Sequence, residues 1–416
     1  MIQNIAPVLG LLSAIVIPSM TLADDTLSLH EAIEIARNAH DPSVEAIRER
    51  ALGEEEDSVS ARALPDPRIG LGFANVPVDD FSLIREPFTQ LQVSARQAFP
   101  RGNTRALNAQ ERSIRSQDYR AQTQIQIDTL VRDVSIAWFN AHYSHTAEEE
   151  LKALNALLSE LNAQQESDFA ASGTAALQRL YRTELEQALI ADRLDAIIQE
   201  RDKAVEVLAR YIGRPAAKRN LAKYAYQNRP LLSQPQIEVA LEKNPAIIRM
   251  ERQIDLARNG ADLAKQAYKP EFGVEARYGR RGAERSDFGS LMVTFDLPLF
   301  TSKRQDPALR AAKRREQAAR LERDSLIRDL TQEALTYVAT IARLRNRIER
   351  FEGVTLERAN DAVTASRNAY GAGNIDFAEL VRAEIALRDL RLRRATLYRD
   401  LYIAEAQLKF IVGEAA

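Results

Sequence analysis

The chain has 416 residues, with 57 Lys and Arg against 59 Asp and Glu, 4 His and no Cys. A formal net charge of -2 leaves no general electrostatic argument for nucleic acid or an anionic surface. Without thiols there is no disulfide framework, thiolate metal site or cysteine nucleophile, and cysteine lipidation at a new N-terminus is excluded. In chain order, residues 5–17 are mostly apolar, and Thr21-Leu22-Ala23 before Asp24-Asp25 has the small-x-small form of a signal-peptidase site. Residues 1–23 are therefore expected to be a signal peptide removed on secretion, although residues 1–4 carry no Lys or Arg. Beyond residue 23 no stretch approaches about 18 consecutive apolar residues, so no transmembrane helix is expected. A mature chain that meets a membrane must do so with strands or at its surface.

Gly and Pro are absent from residues 104–172, 174–212, 308–352 and 374–412. These breaker-free segments, rich in Ala, Leu, Arg, Glu and Gln, are expected to be helices. At ~1.5 Å per residue the first would reach on the order of 100 Å, far beyond a globular helix. Apolar positions recur at coiled-coil spacing in Leu151, Leu154, Leu158 and Leu161, and in Leu387, Leu390, Leu397, Leu401 and Leu408. The helices are thus expected to pack along their length against one another.

The same features occur twice in the same order. Asp41-Pro42 and Asn244-Pro245 are offset by 203 residues (245 − 42), as are Pro67-Arg68-Ile69-Gly70 and Pro270-Glu271-Phe272-Gly273. Leu91-Gln92-Val93-Ser94 matches Leu291-Met292-Val293-Thr294 at an offset of 200 (291 − 91). That offset holds for Gly173 and Gly373, for Leu180, Arg182 and Glu184 against Leu380, Arg382 and Glu384, and for Ile212-Gly213 against Val412-Gly413. The expected organisation is a signal peptide (1–23), a first repeat (24–213), a proline-containing linker (214–233) and a second repeat (234–416), each repeat reading helix, strand, strand, long helix, turn, helix.

Four segments alternate with period two rather than 3.6. Ile69, Leu71 and Phe73 oppose Arg68, Gly70 and Gly72, while Leu91, Val93 and Ala95 oppose Gln90, Gln92, Ser94 and Arg96. In the second repeat Phe272, Val274, Ala276 and Tyr278 oppose Glu271, Gly273, Glu275 and Arg277. Leu291, Val293, Phe295 and Leu297 oppose Ser290, Met292, Thr294 and Asp296. Strands of roughly 8 to 10 residues cross a bilayer when tilted. In lipid every backbone group must be paired, which permits only a closed barrel. Four strands fall short of the minimum of about eight, so the subunit must oligomerise, and a trimer supplying about 12 strands would enclose a pore. The loops at residues 75–89 and 279–288 are then expected on the side opposite the long helices.

The duplication, the Asp-Pro and Asn-Pro pairs, the strand exits Phe99-Pro100-Arg101-Gly102 and Leu297-Pro298-Leu299-Phe300, and the Gly173 and Gly373 turns together resemble the TolC family of outer-membrane efflux proteins. The resemblance runs from about residue 27 to residue 413. It implies a mainly α fold with a small membrane β part: a homotrimeric barrel of about 12 strands in the outer membrane, on a long periplasmic barrel of helices. It also implies docking, at the Gly173 and Gly373 turns, to a periplasmic adaptor that serves an inner-membrane transporter. Lys303-Arg304-Gln305-Asp306-Pro307 after the last strand resembles the heavy-metal-efflux branch, whose transporters are proton-driven. Drugs or small organic compounds are the alternative substrates.

No phosphate-cradling loop, nucleophile grouping or zinc-hydrolase motif is present, so no enzyme, cofactor or nucleic-acid role is expected. His142, His145 and Glu149 share one helical face, which reads first as a solvated polar stripe rather than a metal site. A periplasmic adaptor or a coiled-coil scaffold of an export system is the alternative reading. The two repeats differ just after the second turn, where Asp376 and Glu379 replace Ala176 and Arg179. By resemblance, Asp376, Glu379 and Arg382 are candidates for a periplasmic gate, where three-fold symmetry would bring like carboxylates together and attract cations. Glu379 to Arg382 pairs between neighbours could hold such a gate, and an ion pair within one helix is the plainer reading of the same spacing.

Overall fold

A computed structural model describes residues 26–172, 177–282 and 284–413. The expected signal peptide and Gly173 lie outside the described residues, as do the side chains of Leu180 and Arg182. The chain begins with β1 (Thr26–Leu27), α1 (Leu29–Asn38) and α2 (Pro42–Arg62), followed by the hairpin β2 (Arg68–Ala74) and β3 (Gln90–Phe99). Next come α3 (Thr104–Ser172), α4 (Leu177–Ile212), the short α5 (Arg214–Ala217) and β4 (Asn220–Leu221). A second series follows with α6 (Gln234–Leu241), α7 (Pro245–Gln266), β5 (Glu271–Arg280), β6 (Phe288–Asp296), α8 (Gln305–Arg350), α9 (Glu357–Gly371) and α10 (Phe377–Val412). No helix among the described residues is long and apolar enough to cross a membrane.

The Asp-Pro and Asn-Pro pairs are helix starts. Asp41 Oδ1 accepts the Ser43 amide at 2.8 Å, Asn244 Oδ1 accepts the Ala246 amide at 2.7 Å, and each proline takes the first helical position, where no amide is needed. Asn244 also donates through Nδ2 to the Ile411 carbonyl at 2.6 Å, tying the start of α7 to the end of α10.

The long helices pack as their leucine spacing requires. Leu151, Leu154 and Leu158 on α3 and Leu397 and Leu401 on α10 are buried, and Leu154 and Leu158 join Ile190 of α4 and Phe377 of α10 in one apolar cluster. The largest cluster lies nearer the sheet, where Trp138 of α3 is fully buried and its indole donates to the Leu27 carbonyl at 3.3 Å.

The helix expected over 308–352 extends past Gly353: α8 runs through a π-helical turn (Phe351–Leu356) into α9. Phe351 and Leu356 pack with Leu387 of α10, and this burial outweighs the modest helix penalty of one glycine. The second outward loop is also shorter than expected, because Gly279 pairs with Phe288 and Tyr278 with Gly289, leaving residues 281–287 to join the strands.

The linker is ordered. β4 pairs in parallel with β1, Arg219 bonds Glu31 at 2.6 Å, and Tyr224 and Tyr226 join a ring cluster with Phe139, Tyr398 and Tyr402. Burial among these rings raises the phenol pKa of Tyr402 well above its ordinary value, so the hydroxyl stays neutral.

Candidate functional site

The two hairpins form one four-stranded sheet in the order β2-β3-β5-β6, antiparallel throughout. Its register aligns the alternation of all four strands. Leu71 stands opposite Val93, Val93 opposite Tyr278, Ala95 opposite Ala276, Ala276 opposite Leu291, and Val274 opposite Val293. Apart from Gln97 and Arg280, one face is therefore apolar from edge to edge, and it is uncovered: Leu71 is 74% exposed and Leu291 75%. At the helix end a row of three phenyl rings crosses this face, Phe99 stacked on Phe272 at 4.8 Å and Phe272 beside Phe295 at 6.4 Å.

The opposite face carries Arg68, Arg96, Glu271, Glu275, Arg277 and Asp296, interleaved with Gly70, Gly72, Gly273 and Gly279. Arg277 pairs with Glu275 at 2.7 Å, and Arg101, at the strand exit, pairs with both Glu271 and Asp296. Among the described residues the outer edges of β2 and β6 are unpaired. An apolar uncovered face and two open edges cannot remain in water without aggregation.

At the other end of the chain's long axis of helices, the second turn has the geometry its glycine foreshadows. Gly373 has φ +72°, its amide donates to the Tyr370 carbonyl at 2.9 Å, and the Asn374 amide donates to the Ala369 carbonyl at 2.8 Å. This pairing is a Schellman closure, which needs a left-handed residue at that position. Asp376 then occupies the N-cap of α10 without a capping bond from its side chain. Glu379 and Arg382 pair at 2.7 Å within α10, both more than half exposed, so in the single chain this is the helical i, i+3 pair rather than a contact between helices.

Glu184 and Glu384, alike at the 200-residue offset, stand in different surroundings. Glu184 is exposed, whereas Glu384 is fully buried and held by Arg367 of α9 at 2.5 Å. The 200-residue offset puts Ser167 where the second half of the chain has Arg367. A separation of 17 residues across a turn matches no helical spacing rule, and the sequence gives no signal for this pair.

His142, His145 and Glu149 do not converge. His142 stacks on Trp138 at 5.1 Å, and burial, with His145 nearby, lowers its pKa. His145 faces Glu149 at 3.6 Å. Among the described residues no group of three His, Asp or Glu side chains is placed to hold a metal ion.

Residues 236–414 match the family described as outer membrane efflux protein. No curated protein matches the sequence. Among solved structures, the outer membrane protein VceC of Vibrio cholerae superposes with a TM-score of 0.74 at 16% identity, covering 92% of this chain and 96% of its own. The CmeC outer membrane channel of Campylobacter jejuni gives 0.76 at 10% identity, covering 93% and 86%, and CusC gives 0.75 at 14% identity, covering 92% and 91%. The chain thus has the fold of these proteins over nearly its whole length, and its second half matches the outer membrane efflux protein family.

Proposed function

We propose that the chain is one of three identical subunits of an outer-membrane exit duct, the channel component of a tripartite efflux system. It is an outer-membrane protein and a passive conduit, not an enzyme. The observation that carries this reading is the sheet, with one continuous apolar face exposed and its two outer edges open. In a bilayer those edges must be paired, and pairing β6 of one subunit with β2 of the next closes about 12 strands around a wet lumen lined by the charged and glycine face. The long helices continue the duct into the periplasm. The internal duplication explains how one chain supplies two hairpins to the barrel and two helical pairs to the tunnel.

The Gly173 and Gly373 turns are the docking points for a periplasmic adaptor, which links the duct to a proton-driven transporter of the inner membrane. The resemblance of Lys303 to Pro307 to the heavy-metal-efflux branch supports heavy-metal cations, over drugs or small organic compounds, as cargo. In detergent the mature chain is expected as a trimer that forms channels in planar bilayers. A mature chain recovered as a monomer in the soluble fraction without detergent would replace the duct by a coiled-coil scaffold. Sensitivity of a deletion strain to metal salts, against sensitivity to dyes, separates the two cargo classes.

A further inference from the structure

The apolar face of the sheet carries a single charged side chain among the described residues, Arg280. The register fixes its side: Arg280 stands opposite Leu91, in the same alternation as Tyr278 opposite Val93 and Ala276 opposite Ala95. Its depth is fixed as well. β5 enters the sheet from α7 at Glu271 and leaves it at Arg280, so Arg280 lies at the rim farthest from the helices. The near rim of the same face ends in the Phe99, Phe272 and Phe295 rings, with no charged side chain among them.

The surroundings leave this guanidinium available. No ion pair within 4.0 Å engages it among the described residues. Asp287 is near enough to feel its charge, yet that carboxylate is taken up by the Tyr278 hydroxyl and by the Arg281 amide at 3.1 Å. The adjacent Arg281 is committed elsewhere. It donates to the Ser286 carbonyl at 2.7 Å and to the Pro87 carbonyl at 3.2 Å, and its guanidinium lies over the Phe288 ring at 3.9 Å. That brace ties the two outward loops together and fixes the strand end from which Arg280 projects.

We propose that Arg280 is a binding site for the headgroup phosphate of an outer-leaflet lipid, one per subunit. This rests on the reading of the apolar face as lipid-facing. A cation on that face is costly in hydrocarbon and favourable at the interface, where its stem lies along the apolar surface and its head reaches the phosphate plane. Guanidinium is suited to bidentate phosphate contact. Phe73 stands in the same row through Leu91, so both rims carry aromatic rings and only the Arg280 rim carries a basic side chain, which gives the barrel a polarity across the membrane with the phosphate-binding rim outward.

Native mass spectrometry of the full trimer, relipidated with diphosphoryl lipid A, tests the site. Arg280→Gln is expected to lower lipid A retention about fivefold per site. Arg277→Gln, on the opposite face, should retain lipid A as the wild type does, and dephosphorylated lipid A should be held equally weakly by all three. Equal retention by Arg280→Gln and wild type overturns the site, as does displacement of lipid A by an equal concentration of inorganic phosphate. A wild type that fails to insert into phospholipid vesicles overturns the membrane reading itself, an outcome distinct from insertion without phosphate preference.

Discussion

Arg367 of α9 and Glu384 of α10 form an ion pair in which the carboxylate is 1% exposed and the guanidinium more than half exposed. Both Nε and Nη2 approach Oε1, while Oε2 is buried with no partner among the described residues. The carboxylate therefore depends on a single side chain for its compensation.

Removing that side chain should be far costlier than removing Arg382 from its exposed helical pair. Arg367→Ala leaves Glu384 buried and uncompensated, and a loss of about 2 kcal/mol is expected after allowing for the solvent around the arginine. Arg382→Ala should cost about 0.3 kcal/mol. Chemical denaturation of the two variants in one detergent measures the difference, and equal midpoints would show that Glu384 finds other compensation.

The sheet makes a sharper distinction between faces. Leu71→Arg places a charge in mid-strand on the apolar face, with an expected cost of about 2–4 kcal/mol in a bilayer. Gln92→Arg, opposite Gly72 on the other face, should be tolerated. The yield of trimers in outer-membrane fractions should fall for the first variant and hold for the second.

The difference between what sequence reveals and what it hides follows from the range of the interactions. The strand faces are legible because alternation is local, and residues such as Leu71 and Leu291 declare their side without knowledge of the partner strand. Asp41 and Asn244 are legible for the same reason, since a cap and its proline are neighbours. The continuation of the helix past Gly353 is not legible, because contacts with Leu387 on another helix support it. Arg367 and Glu384 are hidden because a turn brings them together. The Glu379 and Arg382 spacing is visible, but spacing alone does not distinguish a pair within one helix from one between subunits.

Gly373 has open space around the position a Cβ would occupy, so the penalty of a side chain there is backbone strain alone. Gly373→Val should destabilise the turn by about 1–2 kcal/mol. Trimers should still reach the outer membrane, since the turn lies far from the sheet, while export falls as adaptor docking fails. Unchanged export would argue against docking at this turn.

His142 links stability to pH. Its folded pKa lies below the ordinary imidazole value, chiefly from burial, so the unfolded chain takes up the proton first as pH falls. The stability it contributes is present above about pH 6.5 and is lost as the pH drops below that value toward the lower folded pKa. Other charged groups beside it are His145, Glu149 and Glu150 on its own helix and Arg391, Arg394 and Arg399 from α10. His142→Phe should flatten this acid limb of a melting-temperature profile, and an unchanged limb would assign the acid sensitivity to other groups.

The second turn offers the remaining test, because Asp376 and Glu379 stand there where the first half of the chain has Ala176 and Arg179. Asp376 caps α10 without using its side chain, and Glu379 is satisfied by Arg382 of the same helix. Both carboxylates are exposed, so nothing in the single chain requires them for folding. In a trimer whose helical ends converge, three copies of each would meet near the axis and attract cations. A closed aperture held by pairs between subunits requires Arg382 to exchange its own Glu379 for a neighbour's, at little net cost, because an exposed pair contributes only about 0.2–1 kcal/mol. The double variant Asp376→Ala with Glu379→Ala should then raise single-channel conductance and weaken both cation selectivity and divalent block. Wild-type conductance with unaltered selectivity would assign Glu379 and Arg382 to the helical pair alone and place the constriction elsewhere in the duct.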